Sequence, residues 1–450
     1  MSRKVAIIGS GISGLGAAHA LRGQADITLF EAGAYFGGHT NTVDVTLPDA
    51  QGTPVTQGVD TGFLVFNERT YPQLIALLAE LGIPTAQSDM SFSVQSGQDG
   101  NAQPLEWSGG SLSGLFAQRR NLVSPRFWGM LKDIVRFNAL TTRLAREGSD
   151  QELAQTLGDF LREHRFGQAF QQSYFMPMTA CIWSCPTAQM LQFPVATMVR
   201  FCHNHGLLQI TNRPQWWTVP GGARQYVRAI AGGIADKRLN CPVQRVRHDP
   251  HAHAGAGGVW LATDAGEELF DRVIIATHSD QALRMLHAPS QMERAVLGAI
   301  GYQRNQAVLH TDTRVMPQSR AAWAAWNYER AADPLQEDAR VCLHYWINQL
   351  QPLPWQTDVI VSLNPVRTID PARTLATIDY AHPVFDRAAI TVQGMVASLQ
   401  GNSNRYYCGA WTGYGFHEDG LKSGKLAASA VLRDFQLQTA LDAQPLPQAA

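Results

Sequence analysis

The first thirty residues alternate between short apolar runs and segments of mixed polarity. Val5 to Ile8 form a continuous apolar run, which is typical of a strand buried on both faces of a parallel sheet. Leu15 to Leu21 carries a helical pattern, and Asp26 to Phe30 is again strand-like. This order predicts a strand, a helix and a second strand parallel to the first.

A glycine-rich turn joins the first predicted strand to the helix. It reads Gly9-Ser10-Gly11-Ile12-Ser13-Gly14, and Glu31, at the end of the second strand, stands 20 residues after Gly11. In a dinucleotide-binding motif the glycines permit a tight turn, close approach to a pyrophosphate, and close helix packing. The helix N-terminus attracts the phosphates, and Glu31 accepts hydrogen bonds from the adenosine ribose while disfavouring a 2′-phosphate. The alternative is a tight turn that binds no ligand.

Later segments predict further elements. A helix begins near Thr70, a possible cap, with Pro72 in its first turn, and it ends at Gly82. Residues 86–214 are more helical and rich in aromatic side chains, and residues 286–394 are mixed. Between 243 and 277 we expect three strands: Val243 to Arg247, Val259 to Thr263, and Leu269 continuing into Val273 to Thr277.

The C-terminal region repeats the order of strand, glycine turn and helix. Tyr406 to Trp411 is strand-like, Gly413 and Gly415 predict a loop, and Glu418 to Phe435 predicts a helix. Gln444 to Ala450 is expected to be a frayed tail.

Composition narrows the functional class. Only 16% of the 450 residues are charged, which argues against a disordered chain and against a coiled coil. The formal net charge is -1, so we expect no binding of nucleic acid, while the oligomeric state stays open. Six cysteines are too few for a disulfide scaffold, and a reducing, cytoplasmic compartment is therefore expected.

Neither a signal peptide nor a membrane span is expected. The best apolar candidate, Val5 to Leu21, is interrupted by glycines. Peripheral contact with the inner face of a membrane stays open.

Several motifs together resemble a known superfamily. They are GSGISGL with Glu31, the Gly37-Gly38 pair, WTVPGG before a predicted helix, VIIAT, and CGAWTGYGFHEDGLKSG near the C-terminus. This set resembles the flavin-containing amine oxidases, which include monoamine and polyamine oxidases, protoporphyrinogen oxidase and carotene desaturases. VDTGFLVFNERTYPQL and GYGFHEDGLKSG look closest to a bacterial branch of NAD/FAD-binding proteins encoded beside cyclopropane-fatty-acid-synthase-like methyltransferases.

The resemblance implies an α/β fold and FAD as the cofactor. We expect a Rossmann-like FAD-binding domain, with a parallel sheet and an added β-hairpin layer, interleaved with an α+β substrate domain. The FAD-binding domain would comprise residues 1–85, 215–285 and 395–437. Residues 86–214 and 286–394 would form the substrate domain, and 438–450 a tail.

The resemblance also implies a set of residues that contact FAD. Gly420 and Leu421 would offer backbone N–H groups to the flavin N1–C2=O edge, and Val243 would lie near the adenine, in a strand. The full predicted set is Gly9, Gly11, Ile12, Ser13, Gly14, Glu31, Ala32, Gly37, Gly38, His39, Thr40, Gly62, Phe63, Val243, Ala276, Thr277, Gly409, Ala410, Gly420 and Leu421.

Three positions depart from the pattern of many relatives or raise a question. His39 stands where many have Arg after the glycine pair, and Ala410 stands where many have an acid. Covalent attachment of the flavin through Cys408 is an open alternative.

Candidate catalytic residues are Trp411, Tyr414 and His417, which adjoin the predicted flavin-contacting helix. Core packing for the aromatic residues, and a structural hydrogen bond for His417, are the alternatives. No metal site is expected, because Cys202-His203-Asn204-His205 and the Cys181 and Cys185 pair lack further ligands nearby in sequence.

Three functional hypotheses follow. The first is an FAD-dependent oxidoreductase that takes a hydride from a hydrophobic small-molecule or lipid substrate, such as an acyl chain. The second is an amine oxidase that forms an imine and peroxide. The third is a redox-neutral flavin isomerase or a non-catalytic flavoprotein.

Overall fold

The computed structural model describes residues 3–96, 104–183, 190–204, 206, 214–253, 256–331 and 341–442. The predicted tail Gln444 to Ala450 lies outside these residues, as do Cys185 and His205.

The described strands, numbered in chain order, are β1 (Lys4–Ile8), β2 (Asp26–Phe30), β3 (Thr42–Pro48), β4 (Pro54–Asp60), β5 (Phe66–Asn67), β6 (Ala86–Ser88), β7 (Phe92–Ser96), β8 (Glu106–Ser108), β9 (Trp216–Thr218), β10 (Asp236–Arg238), β11 (Arg245–Asp249), β12 (Gly258–Thr263), β13 (Gly266–Phe270), β14 (Arg272–Ile275), β15 (Gly301–His310), β16 (Trp326–Arg330), β17 (Cys342–Trp346), β18 (Ile360–Leu363), β19 (Thr374–Val384) and β20 (Arg405–Tyr407). The described α-helices are α1 (Ile12–Leu21), α2 (Pro72–Glu80), α3 (Leu112–Leu115), α4 (Pro125–Glu147), α5 (Asp150–Ala154), α6 (Leu157–Glu163), α7 (Gln168–Phe170), α8 (Met176–Trp183), α9 (Val195–Asn204), α10 (Arg224–Gly232), α11 (Ser279–Met285), α12 (Gln291–Gly298), α13 (Ile347–Leu350), α14 (Arg387–Gln393) and α15 (His417–Asp442).

A five-stranded parallel sheet forms the centre of the predicted cofactor region, in the order β10-β2-β1-β14-β20. Val5, Ala6 and Ile7 of the central strand β1 are fully buried, as the continuous apolar run predicted. The α/β fold class is confirmed.

Helices α1 and α15 pack closely because glycines line their contact. A Cβ on Gly16 of α1 would lie 2.7 Å from Leu421 Cδ1, and one on Gly424 of α15 would lie 2.0 Å from the Ser13 carbonyl oxygen. The first residue of α15, His417, therefore lies near the glycine-rich turn.

The region 243–277 differs from the prediction of three strands. It contains four, since the expected last strand is divided into β13, in an antiparallel sheet with β11 and β12, and β14, in the parallel sheet. Val243 lies before β11 rather than in it, and its expected place in a strand was wrong.

A second large sheet has seven strands, in the order β19-β15-β18-β17-β16-β7-β8. Its strands come from residues 92–108 and 301–384, which both belong to the segments predicted for the substrate domain. The parallel sheet draws only on segments predicted for the FAD-binding domain. The exact domain boundaries stay a prediction.

The ends of β20 and α15 differ from those predicted from the sequence. β20 ends at Tyr407, because residues 410–412 form a 3-10 turn. α15 begins one residue before Glu418 and continues through Asp442, into the segment predicted as a tail.

The predicted cap of α2 was also wrong. Tyr71 is the N-cap residue, and its side chain makes no capping bond. The Glu418 carboxylate instead accepts the N–H groups of Gln73 and Leu74 at 2.9 and 3.0 Å. This bond joins the first turns of α2 and α15.

Candidate functional site

A cavity of about 540 Å³ lies at the carboxyl ends of β1, β2 and β14, the edge at which ligands bind in open parallel sheets. Most predicted site residues line it: Gly9, Gly11, Ile12, Ser13, Glu31, Ala32, Gly37, Gly38, His39, Gly62, Phe63, Val243, Ala276, Thr277, Ala410, Trp411, Tyr414 and His417. A second cavity, of about 650 Å³, opens at the opposite edge beside Lys4 and Asp26 and contains none of these residues.

Five predicted cofactor residues do not line the cavity: Gly14, Thr40, Gly409, Gly420 and Leu421. Gly420 and Leu421 instead face α1, and the Gly420 N–H already donates to the Phe416 carbonyl oxygen at 3.1 Å. A contact of this N–H with the flavin would have to share it with that intrahelical bond, and the contact stays a prediction. These five residues pack behind the wall and set its shape.

The glycine-rich turn leaves a hollow at the N-terminus of α1. Gly9 has a φ of 100°, and a Cβ there would lie 2.8 Å from the Ala276 carbonyl oxygen. Gly11 caps α1 without a side-chain bond, and a Cβ on Gly11 would meet no atom within 4 Å. The first N–H groups of the helix lack intrahelical partners. The hollow fits a phosphate group that approaches the backbone closely.

Glu31 is fixed at the end of β2. Its carboxylate accepts the Ser10 N–H at 2.9 Å and the Gly33 N–H at 2.8 Å. These bonds hold the acid against the glycine-rich turn, and its role toward a ribose stays a prediction.

His39 brings an unsatisfied polar atom into the cavity wall. Its Nε2 is buried and has no hydrogen-bond partner among the described residues. The ring stacks on Tyr380 at 4.8 Å between centroids, with His382 at 5.1 Å and His278 at 6.4 Å. Burial, reinforced by these imidazoles, lowers the pKa of His39 well below its ordinary value. A bound cofactor would satisfy this nitrogen.

Sequence reasoning missed His278 and His382, which also line the cavity. His278 directly follows the VIIAT motif, which could have drawn attention to it. His382 lies on β19, far along the chain, and no local pattern distinguishes it.

His417 is held as a neutral side chain. Its ring stacks on Phe63 at 3.8 Å, and its Nε2 lies 2.6 Å from the Tyr226 hydroxyl, which also contacts Thr40. Burial lowers the pKa of His417 to about 3. Such an imidazole is a poor base near neutral pH, and the geometry favours the structural hydrogen bond over proton abstraction.

Asp419 fixes the aromatic turn that follows β20. Its Oδ2 accepts the N–H groups of Tyr414 and Phe416, each at 3.0 Å. Burial raises the pKa of Asp419 to about 6. Trp411 donates its indole N–H to the Thr277 carbonyl oxygen at 3.1 Å, so a backbone carbonyl orients this ring.

The part of the cavity beyond this turn is aromatic and aliphatic. Trp326 of β16 and Tyr345 of β17 meet edge to face at 4.9 Å, and Phe201 stacks on Phe416 at 4.8 Å. Trp326 and Tyr345 were not predicted as site residues, because the strands that carry them, β16 and β17, were not predicted from the sequence.

A family model for flavin containing amine oxidoreductases matches residues 12–331. The chain belongs to this family. The predicted membership of the flavin-containing amine oxidase superfamily is confirmed, and the protein is an FAD-dependent oxidoreductase. Its place in the bacterial branch stays a prediction. The glycine hollow and the unsatisfied His39 nitrogen fit its FAD cofactor.

Solved structures give the same fold for this flavin-containing amine oxidoreductase. Cyclohexylamine oxidase from Brevibacterium oxydans IH-35A is 16% identical with a TM-score of 0.67, over 97% of this chain and 100% of that one. A CLA-producing fatty acid isomerase from P. acnes is 15% identical with a TM-score of 0.62, over 95% and 98%. Putrescine oxidase bound to putrescine is 15% identical with a TM-score of 0.63, over 96% and 99%. No protein with a curated description matches the chain by sequence.

The cysteines of this amine oxidoreductase do not favour a covalent flavin. Cys408 is fully buried, and burial raises its pKa to about 12. Since the thiolate is the reactive form, attachment through Cys408 is disfavoured.

One buried cluster in the described part of the chain has metal-ligand composition. Glu329, Cys342 and His344 place their ligand atoms within 4.8 Å of one another. His344 Nε2 is already 2.9 Å from Glu329, and the other Glu329 oxygen is 2.7 Å from Arg367. The cluster is thus satisfied by protein contacts, and Cys202 likewise contacts Met198 rather than a ligand set.

Ser362 links His344 of this cluster to His310, whose titration predicts how stability depends on pH. His310 accepts the Asp312 N–H on Nδ1, its Nε2 lies 2.7 Å from Ser362, and burial lowers its pKa to about 4. Free histidine titrates near 6.5. Between pH 4 and pH 6.5 the imidazole of His310 is protonated in the unfolded chain but not in the folded protein. The contribution of neutral His310 to the unfolding free energy is therefore full above pH 6.5 and is lost as the pH falls towards 4.

We expect His310→Gln to flatten the pH dependence of the unfolding free energy by about 1.4 kcal/mol per pH unit near pH 5. Urea unfolding at several pH values measures this slope. Exposed His251→Gln is the control and should follow the wild type. Parallel curves for wild type and His310→Gln would contradict the assignment.

Proposed function

We propose that this FAD-dependent oxidoreductase dehydrogenates a hydrophobic substrate, with a lipid acyl chain as the substrate class. The observation that carries the proposal is the uncharged surface of the cavity beyond the glycine hollow. Its apolar and aromatic side chains include Leu64, Val65, Met90, Ile182, Phe201, Trp216, Trp326, Tyr345 and Phe385. Burying apolar substrate surface against them is favourable.

The charged groups of the wall support the same choice. Among the described lining residues the only acid is Glu31, which is held by Ser10 and Gly33, and none is lysine or arginine. A charged substrate group would therefore be buried beside no counter-ion, which is costly.

FAD and the aromatic residues of the cavity have different roles in the proposed reaction. FAD, when bound, supplies a two-electron acceptor for the hydride of a substrate C–H bond. Tyr414 and Phe416, whose backbone Asp419 fixes, would pack against the acyl chain of the substrate and exclude water. Trp326 and Tyr345 line the same cavity.

The fold of the fatty acid isomerase, which this chain shares, supports an acyl substrate. The motif resemblance to proteins encoded beside fatty-acid-modifying enzymes supports it also. Both are arguments of analogy, and the cavity surface is the physical one.

Amine oxidation is the second candidate. Cyclohexylamine oxidase and putrescine oxidase share the fold, and the neutral aromatic pair Tyr414 and Phe416 suits an uncharged amine. The lysine often found beside the flavin in that family is not among the described lining residues.

The test is anaerobic reduction of the bound flavin, followed as loss of its oxidised absorption band. Fatty acids and phospholipids are compared with a panel of amines. We expect acyl compounds to bleach the flavin, and Ile182→Lys, which places a charge in the apolar wall, to slow bleaching at least tenfold.

Leu426→Lys, at an exposed position of α15, is the matched control and should behave as the wild type. Bleaching by amines alone would establish the second candidate. Silence of every compound with an intact flavin spectrum would instead indicate a redox-neutral isomerase or a non-catalytic flavoprotein.

A further inference from the structure

One short segment exposes an unusual amount of apolar surface. Leu112 is 77% exposed, Leu122 50%, Val123 83% and Trp128 50%. We call these four residues the apolar ridge. Large apolar side chains concentrated at one place on a soluble surface mark an interaction site.

The ridge is a fixed structure. The Trp128 indole N–H donates to the Leu122 carbonyl oxygen at 2.9 Å, and the Trp128 ring lies 5.8 Å from that of Phe116. The Phe116 N–H bonds the Leu112 carbonyl oxygen at 3.1 Å. The turn after α3 and the start of α4 are thereby held together.

Basic residues accompany the ridge. Arg119, Arg120, Arg126 and Lys132 are all exposed, and the sequence has no acid between Glu106 and Asp133. Asp133 itself accepts the Gly167 N–H at 2.8 Å and lies 3.3 Å from Arg136. In a chain with a net charge of -1, this is a local positive surplus.

We propose that the ridge and its basic residues form a docking surface for a bilayer that contains anionic lipids. Exposed aliphatic side chains enter the headgroup region, and the indole of Trp128 suits the membrane interface. The basic residues match the negative surface potential. No helix among the described residues is long and apolar enough to cross a membrane.

This inference does not depend on the substrate class. A bilayer is favoured over a protein partner because exposed basic residues and exposed apolar side chains occur together in the segment 112–132, and this combination matches an anionic membrane surface. Binding to lipid and turnover of lipid are tested by separate measurements.

The experiment measures co-sedimentation of the FAD-loaded protein with vesicles of phosphatidylcholine alone or mixed with phosphatidylglycerol. We expect at least tenfold stronger binding to the anionic vesicles, and weakening when salt rises from about 0.1 to about 0.5 M. Val123→Asp should reduce binding at least tenfold. Arg126→Ser with Lys132→Ser should also reduce it about tenfold or more, and mainly on anionic vesicles.

Leu426→Asp, at a side chain 59% exposed on α15, is the matched control and should bind as the wild type. An unchanged flavin spectrum shows that each variant is folded. Absence of vesicle binding, or equal losses in Val123→Asp and Leu426→Asp, would overturn the proposal. Dimerisation abolished by Val123→Asp, with no lipid binding, would assign the ridge to a second copy of the chain instead.

Discussion

Replacing Gly11 by Val is expected to abolish FAD binding while the protein remains folded. Gly11 has a φ of -62°, which any residue can adopt, and a Cβ there meets no protein atom within 4 Å. The new side chain would instead occupy the hollow at the N-terminus of α1, where the pyrophosphate must approach. We expect at least a hundredfold weaker binding, about 2.7 kcal/mol or more.

Fluorescence titration of apoprotein with FAD and the absorption spectrum of purified protein measure the effect. Gly129→Val, on α4, also adds a side chain with free space around it and should retain the flavin. Gly14→Ala is the opposite case, because its Cβ would lie 1.9 Å from the Gly9 carbonyl oxygen and prevent folding. A yellow Gly11→Val protein with unchanged affinity would place the cofactor elsewhere.

The contrast between Gly11 and Gly14 shows what the sequence could reveal. Gly11 leaves room for the pyrophosphate, and Gly14 permits close packing of the helix. Both roles follow from a motif whose strand, turn, helix and acidic residue all lie within residues 5–31. Local contacts leave a readable pattern, and the parallel strands β1 and β2 were predicted closely for that reason.

Non-local contacts left no such pattern. β7 pairs with β16 although more than two hundred residues separate them, so neither strand could be derived from its own neighbourhood. Trp326 and Tyr345 reach the cavity only through that sheet. Glu418, more than three hundred residues further along the chain, caps α2. The local sequence around Thr70 therefore could not reveal the capping residue.

The state of a side chain was harder to predict than its place. His417 was expected beside the flavin helix and lines the cavity, but its neutrality depends on Phe63, Tyr226 and the burial that they produce. Likewise the Gly420 N–H was expected to be available to the flavin. It donates to the Phe416 carbonyl oxygen, because α15 begins at His417.

Replacing Glu293 by Ala is expected to cause a large loss of stability. Glu293 and Arg405 are both buried and lie 2.9 Å apart. Glu293 also accepts the Ser290 N–H at 2.7 Å and the Tyr407 hydroxyl. Removing it would leave a buried, uncompensated guanidinium, which costs about 3–5 kcal/mol.

Urea unfolding measures this loss, and the exposed pair Glu267 and Arg245 provides the control. Glu267→Ala should leave the unfolding free energy nearly unchanged, because its ion pair is exposed and screened by solvent. Glu293→Leu combined with Arg405→Met should recover most of the stability, since no charge is then buried unpaired. Equal losses for Glu293→Ala and Glu267→Ala would show that the buried pair does not hold β20. Because β20 leads through Gly409 to Trp411 at the cavity wall, we also expect Glu293→Ala to lower the flavin content of the folded protein.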